Sequence, residues 1–114
     1  MTGNKMADII ELPDNLIGIE DKESIESFGG HEISHGRATR FHWDKNENKD
    51  PVFELYRGGA NEKLVIVISR ERKNHKFQAV DKNGKMIVSG ALDHVMKILD
   101  QKLTNEHDES ETPT

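Results

Sequence analysis

The sequence predicts an α+β fold: an antiparallel β-meander of about five strands, with a C-terminal amphipathic helix packed on one face and a short N-terminal helical turn. Three observations carry this expectation. Between Thr39 and Gly90 apolar and polar residues alternate through several short runs, the period of a half-buried strand. Stretches rich in Gly, Asn and Pro separate those runs. After Ala91 the period becomes helical, with Leu92, Val95, Met96, Leu99 and Leu103 at i, i+3, i+4, i+7 and i+11.

Taken in order, residues 1–20 read as a flexible or extended segment with two apolar patches. These are Ile9, Ile10 and Leu12, then Leu16, Ile17 and Ile19, divided by the turn signal Pro13-Asp14-Asn15. A single domain is expected over 21–103. It begins with DKESIESFGG, one or two helical turns with Asp21 as N-cap and Gly29-Gly30 as the stop. HEISHGRATRFHW then reads as an extended approach to the first strand, where Thr39, Phe41 and Trp43 share one face. Pro51 opens VFELYR, and Gly58-Gly59-Ala60-Asn61 turns the chain into KLVIVISRER. Its five consecutive apolar residues, Leu64 to Ile68, mark a central strand with both faces covered. KFQAV and MIVSG flank Asn83-Gly84, a tight-turn pair. Ser89 or Gly90 is the expected N-cap of the last helix, and residues 104–114, acidic and without an apolar anchor, read as a disordered tail.

Composition restricts what such a domain does. Only 33% of residues are apolar, below the roughly 45–50% of ordinary globular chains, so the core is small and one shallow helix-on-sheet layer leaves little room for a deep pocket. The absence of cysteine excludes disulfides, thiolate ligands and a cysteine nucleophile. No apolar run reaches the roughly 20 residues that span a bilayer and the start lacks a signal-peptide pattern, so a soluble, cytoplasmic protein without membrane contact is expected. The net charge of −5 is uneven. Twelve Lys and Arg face seven Asp and Glu between Arg37 and Gly90, whereas the remainder holds four against fourteen.

Two features bear on chemistry. HEISH, from His31 to His35, fits the zinc-protease pattern HExxH and resembles the zincin signature over those five residues alone. On a helix, His31 and His35 have Cβ atoms about 6 Å apart and share a metal, with Glu32 as general base; on a strand they lie roughly 13 Å apart and cannot. Gly29, Gly30 and Gly36 each cost about 1 kcal/mol in a helix interior, which favours the extended form. The third ligand is absent from the metzincin positions, which hold Ala38 and Phe41, leaving Asp93, His94 or Asp100 on the later helix. No cofactor is therefore expected, with zinc at His31 and His35 as the alternative if the segment is helical.

The second feature is the basic run from Arg70 to Lys76. With Arg40 and Arg57 on neighbouring strands, Arg70, Arg72, Lys73 and Lys76 form a candidate surface for nucleic acid or another partner. The double-stranded-RNA domain's basic helix start has no counterpart at SGALDHV, and sheet-borne aromatic RNP motifs are absent. The function expected from these residues is that of a non-enzymatic binding or regulatory module, engaging a protein partner through its sheet face or an edge strand. One helix does not cover five strands, so self-association through the open face is also expected.

Overall fold

The structure of the protein is a computed structural model that describes residues 16–111. The patch at Ile9, Ile10 and Leu12 and the last three residues of the expected tail lie outside the described residues. The period-two segments form the predicted meander: β1 (Arg40–Lys45), β2 (Pro51–Arg57), β3 (Lys63–Arg70), β4 (Phe77–Asp81) and β5 (Met86–Gly90), antiparallel and paired in chain order. Register follows hydrophobic phase. Trp43, Phe53, Ile68, Ala79 and Val88 stand opposite one another across the five strands, and Phe41, Leu55 and Ile66 form a second row on the same face. A bulge between Leu55 and Tyr56 pairs these two residues with Ile66 and Leu64, so Val65 has no opposite residue. Side chains and left-handed backbone close the turns. Asn46 Oδ1 accepts the amides of Asn48 and Asp50, and Asp81 Oδ1 accepts those of Asn83 and Lys85, ahead of Gly84 at φ 83°.

Helix α2 (Leu92–Glu111) lays Val95, Leu99 and Leu103, all buried, across β4 and β5. Neither expected cap holds: the Ala91 carbonyl accepts the first intrahelical bond from Val95, which makes Ala91 the N-cap. The helix also continues eight residues beyond the expected end at Leu103. No Gly or Pro interrupts the chain before Pro113, and an i, i+4 pair between Lys102 and Glu106 supports the extra turns.

The larger correction is α1 (Ile19–Ser34). In place of a short turn ending at Gly29, it is a 16-residue helix that includes most of HEISH, and the segment expected to be extended is helical. Its N-cap is Gly18, not Asp21, which lies in the first turn with Glu20. Ile25, Phe28, Gly29 and Glu32 form the buried face at i, i+3, i+4 and i+7. Gly29 sits where the helix crosses the sheet: a Cβ there would stand 2.8 Å from both Phe41 Cδ2 and Phe53 Cζ. The glycine that ends the helix is Gly36, at φ 76°. Its amide donates to the Ile33 carbonyl and the Arg37 amide to the Glu32 carbonyl, a Schellman motif. Packing against Phe41 and Phe53 outweighs the glycine penalty. The ordered core also begins before residue 21, since Ile17 is fully buried.

Gly30 has no such duty: it is exposed, and a Cβ there meets nothing within 4 Å. Gly30→Ala is expected to raise stability by about 1 kcal/mol, the propensity difference in a helix interior. A urea titration in which the midpoint stays put or falls contradicts that account.

Both helices pack on the face that carries Phe53, Leu55, Ile66 and Ile68. The other face presents the alternate residues, and no helix among the described residues is long and apolar enough to cross a membrane.

Candidate functional site

The Schellman turn does more than end α1. It reverses the chain so that Arg37 folds back over the last turn, donating from Nε to Glu32 Oε1 at 2.6 Å and from Nη2 to Oε2 at 3.2 Å. Nη2 also reaches Asp100 Oδ1 on α2 at 3.2 Å. Glu32 is 0% exposed and Arg37 is 8% exposed. Burial pushes the Glu32 carboxyl above its ordinary range, against the pull of Arg37. Asp100 is held below the usual carboxylate range, first by the hydrogen bond from Glu32 and then by the charge of Arg37. The result is a cluster of two acidic side chains and a guanidinium linking α1 to α2.

The helical condition for zinc is thus met through Ser34, with His35 as the C-cap, and the later helix contributes Asp100. The arrangement nonetheless differs from a zinc hydrolase. His31 Nε2 lies 3.6 Å from Asp100 Oδ1, and the ring centroids of His31 and His35 are 4.4 Å apart. Here the ligand atoms that fall within 4.8 Å of one another belong to His31, Glu32 and Asp100, without His35; a second such group, His42, Asp44 and Glu54, lies on the sheet. Glu32, the residue assigned to general base work, has both carboxylate oxygens on a buried guanidinium and cannot take a proton from a water at an open metal position. A cation binding Glu32 competes with Arg37 for both carboxylate oxygens.

The six predicted basic residues do not form one patch. Arg40 and Arg57 stand at one end of the sheet; Arg70, Arg72, Lys73 and Lys76 stand at the other, beyond the eight-residue β3, about 23 Å away at roughly 3.3 Å per residue. Three of the arginines serve the fold. Arg72 grips buried Asp50 at 2.6 to 2.9 Å, and Arg70 donates to the Leu16 and His75 carbonyls while its guanidinium lies 4.7 Å from the Phe77 ring. Arg40 holds Glu62 through two bonds at 2.7 and 2.8 Å. Lys73 and Lys76 are exposed.

Arg40 belongs to a second cluster, on the sheet face opposite the helices. Its guanidinium carbon lies 4.3 Å from the Tyr56 ring, and Tyr56 donates its hydroxyl to Glu54 Oε1 at 2.8 Å. That bond raises the phenol above its ordinary pKa. Register and alternation place Leu64 beside Tyr56, and His42, Glu54, Val67, Val80 and Met86 in the next row. In the sequence, Arg40 and Tyr56 were readable only as members of alternating runs, since nothing local announces that they face each other.

One further feature was not expected from a shallow core. A cleft of about 790 Å³ opens beyond the C-terminal half of α2, between the β2–β3 and β4–β5 turns. Arg57 lines it. Comparison with family models, curated proteins and solved structures finds no match for this chain.

Proposed function

We propose that this protein is a non-enzymatic binding module whose working surface is the sheet face opposite the helices and whose partner is a protein. The observation that carries the reading is the Arg40–Tyr56–Glu54–Glu62 cluster, which holds a tyrosine and an arginine in fixed poses on that face. Tyr and Arg are enriched among the residues that dominate protein interfaces, and side chains ordered beforehand lose little entropy on binding. Leu64, Val67, Val80 and Met86, the last 50% exposed, add aliphatic surface alongside. The nucleic-acid alternative draws less support, because the guanidinium groups of Arg40, Arg70 and Arg72 are already tied to partners within the chain.

The chain has no cysteine, so one introduced at Val67 is a unique attachment point for a photo-crosslinker on this face. In the cells that make the protein, Val67→Cys is expected to capture a defined protein species, whereas Lys97→Cys on exposed α2 is not. Adding Tyr56→Ala is expected to weaken capture by roughly thirtyfold, about 2 kcal/mol. Capture independent of position or of Tyr56, or a nuclease-sensitive product, removes this reading.

A further inference from the structure

The cleft beside α2 is built from parts whose polarity is sorted. Its interior is aliphatic: Val65 is half-buried, while Ile66 and Leu103 are almost fully buried. The bulge that leaves Val65 unopposed places this extra apolar residue in the lining. One wall is the backbone of the β2–β3 turn, where Gly58 takes φ 104° and a Cβ would press to 3.2 Å from the Asn61 carbonyl oxygen. Among the described residues no aromatic side chain lines the cleft to stack a nucleobase.

The mouth is charged, and its two signs are not equally available. Asp81 accepts two backbone amides of its own turn, and Glu106 accepts the Lys102 ammonium at 2.7 Å. Lys63 and Lys82 also line the cleft, are exposed, and form no ion pair among the described residues. The acidic side chains thus each hold a partner, while two ammonium groups remain for a ligand, on a chain whose net charge is −5. The volume lies within the range of small-molecule sites, roughly 300–1,000 Å³.

The geometry points to a binding site for an alkyl carboxylate, its chain against Val65, Ile66 and Leu103 and its head group between Lys63 and Lys82. Nothing in this assignment depends on the protein-binding face. Chain length and head-group charge contribute separately. Affinity rises by roughly tenfold for every two methylenes buried, and reversing the charge of the head removes the attraction.

The test is titration of the full chain with dodecanoate below its micellar concentration, followed by calorimetry and by backbone amide NMR, with octanoate and dodecylammonium as comparisons. Saturable one-to-one binding is expected, with shifts confined to residues 57–66, 81–83 and 102–106. Octanoate is expected to bind at least tenfold more weakly, and dodecylammonium weaker still. Lys63→Glu with Lys82→Glu should reduce dodecanoate affinity at least tenfold while the far-ultraviolet dichroism and melting temperature hold, since both side chains are exposed. The assignment is overturned by an absence of saturation, by equal binding of the amine and the acid, by shifts centred on Tyr56 and Val67, or by a folded double variant that binds as the parent does.

Discussion

Arg37→Met is expected to destabilise the protein by about 3–5 kcal/mol, the usual consequence of removing one member of a buried ion pair. That is a large share of the roughly 5–15 kcal/mol that holds a domain folded. The cost arises because Glu32, fully buried, loses a partner that donated to both its oxygens, and because α1 and α2 lose a bridge through Asp100. The loss has a pH signature. Glu32 is raised above its ordinary 4.5, mainly by burial, so its contribution is complete below that value and fades as pH rises through the folded-state value. Asp100, depressed below its ordinary 3.8, contributes above that value and loses its effect as pH falls through the depressed one. Removing Arg37 removes the pull that lowers Glu32, so the variant suffers most at neutral and alkaline pH. Urea unfolding at pH 7.5 and pH 4.5 should show a smaller deficit at the lower value. Glu32→Gln combined with Arg37→Met should regain a substantial part of the loss at pH 7.5, because no buried charge is left unpaired. A deficit of the same size at both pH values places the role of Arg37 in packing instead.

The contrast between what was legible in the chain and what was not has a physical basis. Strands β1 to β5 and the body of α2 announce themselves because their burial is periodic along the chain: Phe53, Leu55, then Ile66, Ile68 for the sheet, and Val95, Leu99, Leu103 for the helix. Helix α1 is obscured by glycine, which serves opposite purposes with the same letter. Gly36 ends the helix because a left-handed φ is needed there, whereas Gly29 continues it because two phenylalanine rings leave no space for a Cβ. Only the residues across the interface, Phe41 and Phe53, distinguish the two. The same limit applies to charge. Arg40 and Arg72 count as surface cations in the sequence, yet Glu62 and Asp50, each 22 residues away, turn them into internal ties. The buried Glu32–Arg37 pair was the most accessible of these to sequence reasoning, since a helix-ending glycine between them brings i and i+5 together.

The crossing of α1 over the sheet provides the second large effect. Phe53 is fully buried, its ring centroid 5.2 Å from that of Phe41 and 5.3 Å from that of Trp43, with the tryptophan edge-on. Trp43 in turn donates its indole N–H to Glu26 of α1 at 2.7 Å, so this aromatic row is what the helix rests on. Phe53→Ala is expected to cost about 3–5 kcal/mol through lost transfer energy and a residual cavity. Gly29 is the counterpart of that ring. In the parent protein Gly29→Ala gains about 1 kcal/mol of helix propensity but must push Phe41 and Phe53 aside from 2.8 Å, an overpacking cost of about 1–3 kcal/mol, so a net loss is expected. In the Phe53→Ala background one of the two obstructing rings is gone, and the added methyl occupies part of the space it leaves. The four-variant cycle should therefore show a coupling of about 0.5–3 kcal/mol, with the pair of changes less damaging than their separate effects combined. If Gly29→Ala costs the same in both backgrounds, Phe53 does not set the distance between helix and sheet, and Phe41 alone accounts for the glycine.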